Sequence, residues 1–156
     1  MRRAVTIILA VISLGLIRGP ANDPHDDLTT RAIPTPVRFT SVDIYIDPNG
    51  RPLAAYQFEL TAQGADATLV GVEGGEHQAF AQPPYYDPRA NLNKRIVIAA
   101  FNTGEDLPRQ RTRVATVMLR VKGAVPPRFS ATLQVAADAS ADPIHAGISV
   151  SEGAQP

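Results

Sequence analysis

Between Leu53 and Glu76 the chain reads LAAYQFELTAQGADATLVGVEGGE. Large residues stand at Tyr56, Phe58 and Leu60, and the positions between them, Ala55, Gln57, Glu59 and Thr61, are small or polar. This period of two marks a strand buried on one side. A polar break, a second apolar strand over 67–72 and a Gly74-Gly75 turn follow, so the stretch reads as a half-buried hairpin.

The same alternation recurs along most of the chain. Val42, Ile44 and Ile46 form an inward row, ended by Asp47-Pro48-Asn49-Gly50, a hairpin turn with Pro48 at its second position and Gly50 supplying free φ. Arg95–Asn102 contains the unbroken run IVIAAF and is expected to be a central strand. In Val114–Lys122 the inward row is Ala115, Val117, Leu119 and Val121; Thr116, Met118, Arg120 and Lys122 point outward. Phe129, Ala131, Leu133 and Val135 form the next inner row, and Ile144–Val150 the last strand. The stretch from His77 to Asn93, with Pro83-Pro84 and Asp87-Pro88, is a long irregular loop of the kind that often carries function. No helix is predicted after the N-terminal segment. The expected fold is all-β, a two-sheet antiparallel sandwich.

Composition agrees with that picture. Fourteen prolines and eleven glycines in 156 residues suit a turn-rich β chain. With no cysteine, disulfides, thiolate zinc sites and a lipid-anchoring cysteine are excluded. The N-terminus differs from the rest. Met1-Arg2-Arg3 precedes an apolar run to Leu16, too short to span a bilayer comfortably, and Arg18-Gly19-Pro20 ends it. Residues 1–21 read as a secretory signal with cleavage after Ala21, or else as a short uncleaved anchor, the chain's one expected link to a membrane. Residues 22–36 are a Pro-containing linker, 37–152 the folded domain and 153–156 a tail. Removing the signal takes three arginines and no acid, so 12 basic residues face 15 acidic ones, a net of −3. Such a body lacks the dense basic face that nucleic acid requires.

Four blocks, in order, resemble a cohesin module: Ala54–Leu60, AAYQFEL; Leu69–Gly75, LVGVEGG; Arg95–Phe101, RIVIAAF; and Arg113–Gly123, RVATVMLRVKG. The likeness covers residues 42–152. It departs where the family carries Tyr-Asp-Pro, which is here Thr61-Ala62-Gln63-Gly64-Ala65-Asp66. The resemblance implies a jelly-roll sandwich of about nine strands. It also implies a non-catalytic, exported module (extracellular, periplasmic or envelope-associated) that binds a dockerin-like protein partner in assemblies for polysaccharide catabolism. Carbohydrate-binding modules share the superfold, so polysaccharide binding is the alternative expectation.

On this reading the candidate partner-binding residues are Gln57 and Glu59, Thr116 and Met118 on outward rows, with Tyr85 and Tyr86 on the loop rim. Phe80, Tyr85 and Tyr86 together form either an aromatic platform or a cap on the core. A carbohydrate platform needs a planar aromatic row, and the chain has nine aromatics and no Trp. His77, with Glu73 and Asp87, is the one grouping with metal-ligand chemistry, but no second histidine stands at ligand spacing; no metal or other cofactor is expected. Asp47-Pro48-Asn49-Gly50 lacks the later ligands of a calcium loop. Glu105-Asp106 with Arg109, Arg111 and Arg113 is a charged loop, either a docking rim or a solvated face. No nucleophile elbow, zinc-protease helix or phosphate loop is present, and no catalytic residue is assigned.

Overall fold

The computed structural model describes residues 34–87 and 95–153. The signal reading of 1–21, most of the linker, the loop segment 88–94 and the last three residues lie outside them. Among the described residues eight strands form, against about nine expected for the domain: β1 (Val37–Asp47), β2 (Ala55–Gln63), β3 (Asp66–Gly74), β4 (Tyr85–Tyr86), β5 (Arg95–Phe101), β6 (Thr112–Lys122), β7 (Arg128–Ala137) and β8 (Gly147–Glu152). They make two four-stranded sheets of order β3-β6-β1-β8 and β4-β5-β2-β7, and every pairing is antiparallel. Alternation along each strand sends one row between the sheets, where Ile44, Ile46, Phe58, Leu60, Ile98 and Leu119 are almost fully buried.

Neither predicted hairpin forms. β1 and β2 belong to different sheets, as do β2 and β3, so each connection passes from one sheet to the other. Alternation specifies a buried face but not the strand that pairs beside it. The turn after β1 is also shifted. Its central residues are Asn49 and Gly50, both at positive φ, with Arg51 N–H donating to Pro48 O at 3.1 Å. Pro48 is therefore the first residue of the turn, not the second. Asn and Gly both tolerate the left-handed region, and the Asp47 carboxylate accepts the Asn49 N–H at 3.0 Å.

β5 is less central than its apolar run implies. β2 flanks it along its length on one side, and the two-residue β4 pairs only with Ala99 and Ile98 on the other. Val135 faces outward, 44% exposed. Gln57 pairs with Val135 but Phe58 with Leu133, so Gln134 is a bulge. One extra residue moves the rest of the strand to the opposite face, and Ala136 takes the inward place. Val70 on β3 and Val114 on β6 are skipped in the same way.

At the centre of the core Tyr56 crosses from one sheet to the other. Its hydroxyl donates to the carbonyl of the bulged Val114 at 3.1 Å. Its ring stacks on Phe58, with centroids 5.9 Å apart, and meets the edge of Phe80 at 5.1 Å. Phe80 lies in a short 3-10 turn, Gln78–Phe80, capped by the His77 imidazole. That turn returns to the first sheet through the Gly75 N–H, which donates to Phe80 O at 2.7 Å. Gly74 and Gly75 run against the carbonyls of Ala81 and Arg113, leaving no room for a Cβ.

The β7–β8 corner is built on Asp138. Its Oδ1 accepts the N–H groups of Ser140 and Asp142, and its Oδ2 pairs with Arg51 at 3.0 Å. Desolvation raises the pKa of this carboxyl, but the Asp142 and Ser140 amides and the Arg51 guanidinium outweigh it and hold it below the usual carboxylate range.

Two outcomes follow from these contacts. Tyr56→Phe leaves the Val114 carbonyl without its donor and should cost about 1–3 kcal/mol in urea unfolding at neutral pH. Burial pushes the Tyr56 phenol pKa up, so its stabilisation is complete below about pH 10 and falls as the unfolded chain ionises above that; the variant should lack this alkaline slope. For Asp138 the sign is opposite. Its lowered pKa contributes stability above about pH 4, the unfolded value, and that contribution is lost as pH falls through the folded value. Thermal unfolding of Asp138→Asn should therefore fall less between neutral and acid pH than that of the wild type.

Candidate functional site

Five of the six candidate residues divide between the two outer faces. Gln57, Glu59 and Tyr85 lie on the outside of the β4-β5-β2-β7 sheet; Thr116 and Met118 lie on the outside of β3-β6-β1-β8. Tyr86 belongs to neither. It pairs with Ile98, a core position, and packs against the core partly buried. Phe80 is also core, 3% exposed, so of the three loop aromatics only Tyr85 is free to form a platform.

Tyr85 has a companion that lies outside the predicted set. Phe101 ends β5 on the same outer face, 80% exposed beside Tyr85 at 72%. With Val135 they wall a depression of about 370 Å³, lined also by Ala55, Gln57 and Ala99. On the loop side a second hollow of about 220 Å³ is lined by Ala79, Gln82, Pro83 and Pro84 together with Tyr85 and Phe101. Extending the outward alternation of β5 through Val97 and Ala99 reaches Phe101, so parity was the signal for it. Val135 had none, because the bulge that turns it outward depends on pairing with β2.

A polar strip runs beside the depression. Gln57 Nε2 donates to Gln134 Oε1 at 2.7 Å, Gln134 Nε2 donates to Glu59 Oε2 at 3.2 Å, and Arg95 Nε pairs with the same oxygen at 3.3 Å. The bulge that exposes Val135 also supplies the middle member of this strip. These groups partner one another, so covering them strands few polar atoms.

The opposite face holds a groove of about 540 Å³. Its apolar part is Phe39, Val70 and Met118; its polar part is Asp43, Glu73, Arg113 and Thr116. Register places Ser41, Met118 and Gly71 in one cross-strand row and Asp43, Thr116 and Glu73 in the next. Thr116 Oγ1 donates to Asp43 Oδ1 at 2.6 Å and accepts from Arg113 at 2.8 Å, while Arg113 and Asp43 approach to 3.5 Å. The β6 bulge puts Arg113 opposite Tyr45, beside this row. The Met118 side chain lies over Gly71, where an added Cβ would come within 3.1 Å of its Cε.

The loop charges do not act as one rim. Arg113 turns to Asp43, and Arg111 lies 3.9 Å above the Tyr45 ring. Glu76 accepts from Thr112 Oγ1 and from the Arg113 N–H. His77 caps its turn, with Nε2 3.9 Å from Asp106, in a separate hollow at the end of the sandwich. Glu73 lines the sheet groove instead, so the His77–Glu73–Asp87 grouping does not converge. Among the described residues no three His, Cys, Asp or Glu side chains are arranged to hold a metal ion.

Comparison with known proteins adds no relative: no protein-family model, no curated protein and no solved structure matches this chain.

Proposed function

We propose that the domain is an exported, non-catalytic binding module of cohesin-like type, which takes up a protein partner on the outer face of the β4-β5-β2-β7 sheet. The observation that carries this reading is the depression between Tyr85, Phe101 and Val135, with its internally satisfied polar strip alongside. An apolar pocket with aromatic walls and a polar border has the anatomy of a protein hot spot. Rigid, exposed rings lose little side-chain entropy when covered. Export rests on the basic Met1-Arg2-Arg3 and the apolar run behind it.

A second reading is favoured by the same two rings. Two exposed aromatics on one face supply surfaces on which sugar rings stack, which supports a polysaccharide ligand instead.

The double variant Tyr85→Ala/Phe101→Ala tests both. The two rings are exposed, so its Tm should stay near that of the wild type. A protein partner captured from the exported fraction should be lost at least about 30-fold in the double variant, the effect of one hot-spot truncation of about 2 kcal/mol, and kept by Met118→Glu on the other face. Retention on cellulose or chitin that disappears in the double variant decides for the polysaccharide. N-terminal sequencing of the secreted form should start at Asn22; a product starting at Met1 would overturn cleavage.

A further inference from the structure

The groove on the β3-β6-β1-β8 sheet lies on the face away from Tyr85 and Phe101, and its chemistry differs. Its apolar part exposes Phe39 at 64% and Val70 at 55%, with Met118 beside them. At the Asp43–Glu73 end its polar part carries more negative than positive charge, while the half-buried Arg120 lies at the other end, in the row of Phe39 and Thr68. Asp43 and Glu73 are two carboxylates against Arg113, and Arg113 is already committed to Asp43 and Thr116. The Glu73 carboxylate has neither a hydrogen bond nor an ion pair among the described residues. The Asp43 carboxylate makes both its contacts through Oδ1, so Oδ2 is open to a further donor.

Three features keep the groove open. Gly71 has no side chain where a Cβ would crowd Met118, and Gly153 has none where a Cβ would overlap Ser41. Val70 points outward as a wall, and the bulge there turns Gly71 outward beside it. Asp43 and Glu73 stand on either side of Thr116 in one cross-strand row, two strand spacings or about 10 Å apart at the backbone. A cation that reaches Glu73 and Asp43 Oδ2 lies between the two carboxylates, beside the Arg113 guanidinium that already holds Thr116 Oγ1. Along β1 the groove runs from Phe39 to Asp43, about 13 Å, the length of four extended residues. An extended segment fits this length with an apolar side chain over Phe39, Val70 and Met118 and a cationic one at the Asp43–Glu73 row.

We propose that this outer face is a second docking groove, for an extended peptide segment of a partner protein that presents a lysine or arginine next to apolar side chains. Charge complementarity selects the cation, and the length and alternation of the groove select a strand-like peptide over a compact amine. The proposal is independent of the Tyr85–Phe101 face.

The test titrates the ¹⁵N-labelled protein with three probes: a short capped peptide with lysine between leucine and valine, its norleucine counterpart, and hexylamine. The lysine peptide should shift the amides of Ser41, Gly71 and Gly153 and bind about tenfold more tightly than the norleucine peptide, the scale of one charge-assisted hydrogen bond. Its affinity should fall with added salt. Glu73→Gln, at an exposed position without a partner, should keep the fold and remove most of the difference between the two peptides. Equal binding of the two peptides, shifts confined to the Tyr85–Phe101 face, or no binding of the lysine peptide at millimolar concentration would overturn the proposal. Hexylamine binding as tightly as the lysine peptide would overturn the peptide assignment in favour of a small-amine site. Tyr85→Ala/Phe101→Ala should leave the titration unchanged, so failure of the protein-partner reading on the other sheet is told apart from failure here.

Discussion

The contact on which the rest of this structure depends is the hydrogen bond from the buried Tyr56 hydroxyl to the Val114 carbonyl. A phenol in an apolar core must find an acceptor, and within a sheet nearly every carbonyl is already engaged. The bulge in β6 turns the Val114 carbonyl out of register with β1 and makes it available. The bond thus joins the two sheets at one defined point. The Tyr56 ring holds Phe80 as well, and Phe80 anchors the turn that leads to β4 and Tyr85. On the other side, the same bulge sets Arg113 beside Asp43 and Thr116. Both candidate surfaces are therefore positioned by one interaction in the core.

Bulges account for most of the surface chemistry. At Val70, Val114 and Gln134 an extra residue reverses which side chains face inward. An apolar residue that regular alternation would bury becomes a wall of a surface hollow, as at Val135. The core closes again beyond each bulge, with Val72, Thr112 and Ala136 in the inward places. β3 and β7 are edge strands, and a bulge also makes an edge a poorer template for unwanted pairing.

The two faces differ in how their polar groups are satisfied. Beside Tyr85 and Phe101, Gln57, Gln134, Glu59 and Arg95 form a chain that partners itself, and the adjacent hollow is apolar. In the groove of the other sheet, Glu73 is left uncompensated next to an internally paired Asp43–Thr116–Arg113 cluster. The first face favours a partner recognised by shape and apolar area. The second favours one recognised by charge.

The amino-acid sequence by itself determined the all-β class and most inward rows, including Val42–Ile46, Tyr56–Leu60 and Ala115–Val121, because alternation is a local property of a pleated strand. It also placed Gln57, Glu59 and Met118 on outer positions correctly, while it left Tyr85 open between a platform and a core cap. Phe39 and Phe101 were within reach of the same parity argument. Only the tertiary structure decided that β1, β2 and β3 alternate between sheets, that Tyr86 turns inward, and that Val135 turns outward. The reason is that strand partners and bulges are set by pairing between residues far apart in the chain, and a one-residue change of register reverses every side chain beyond it.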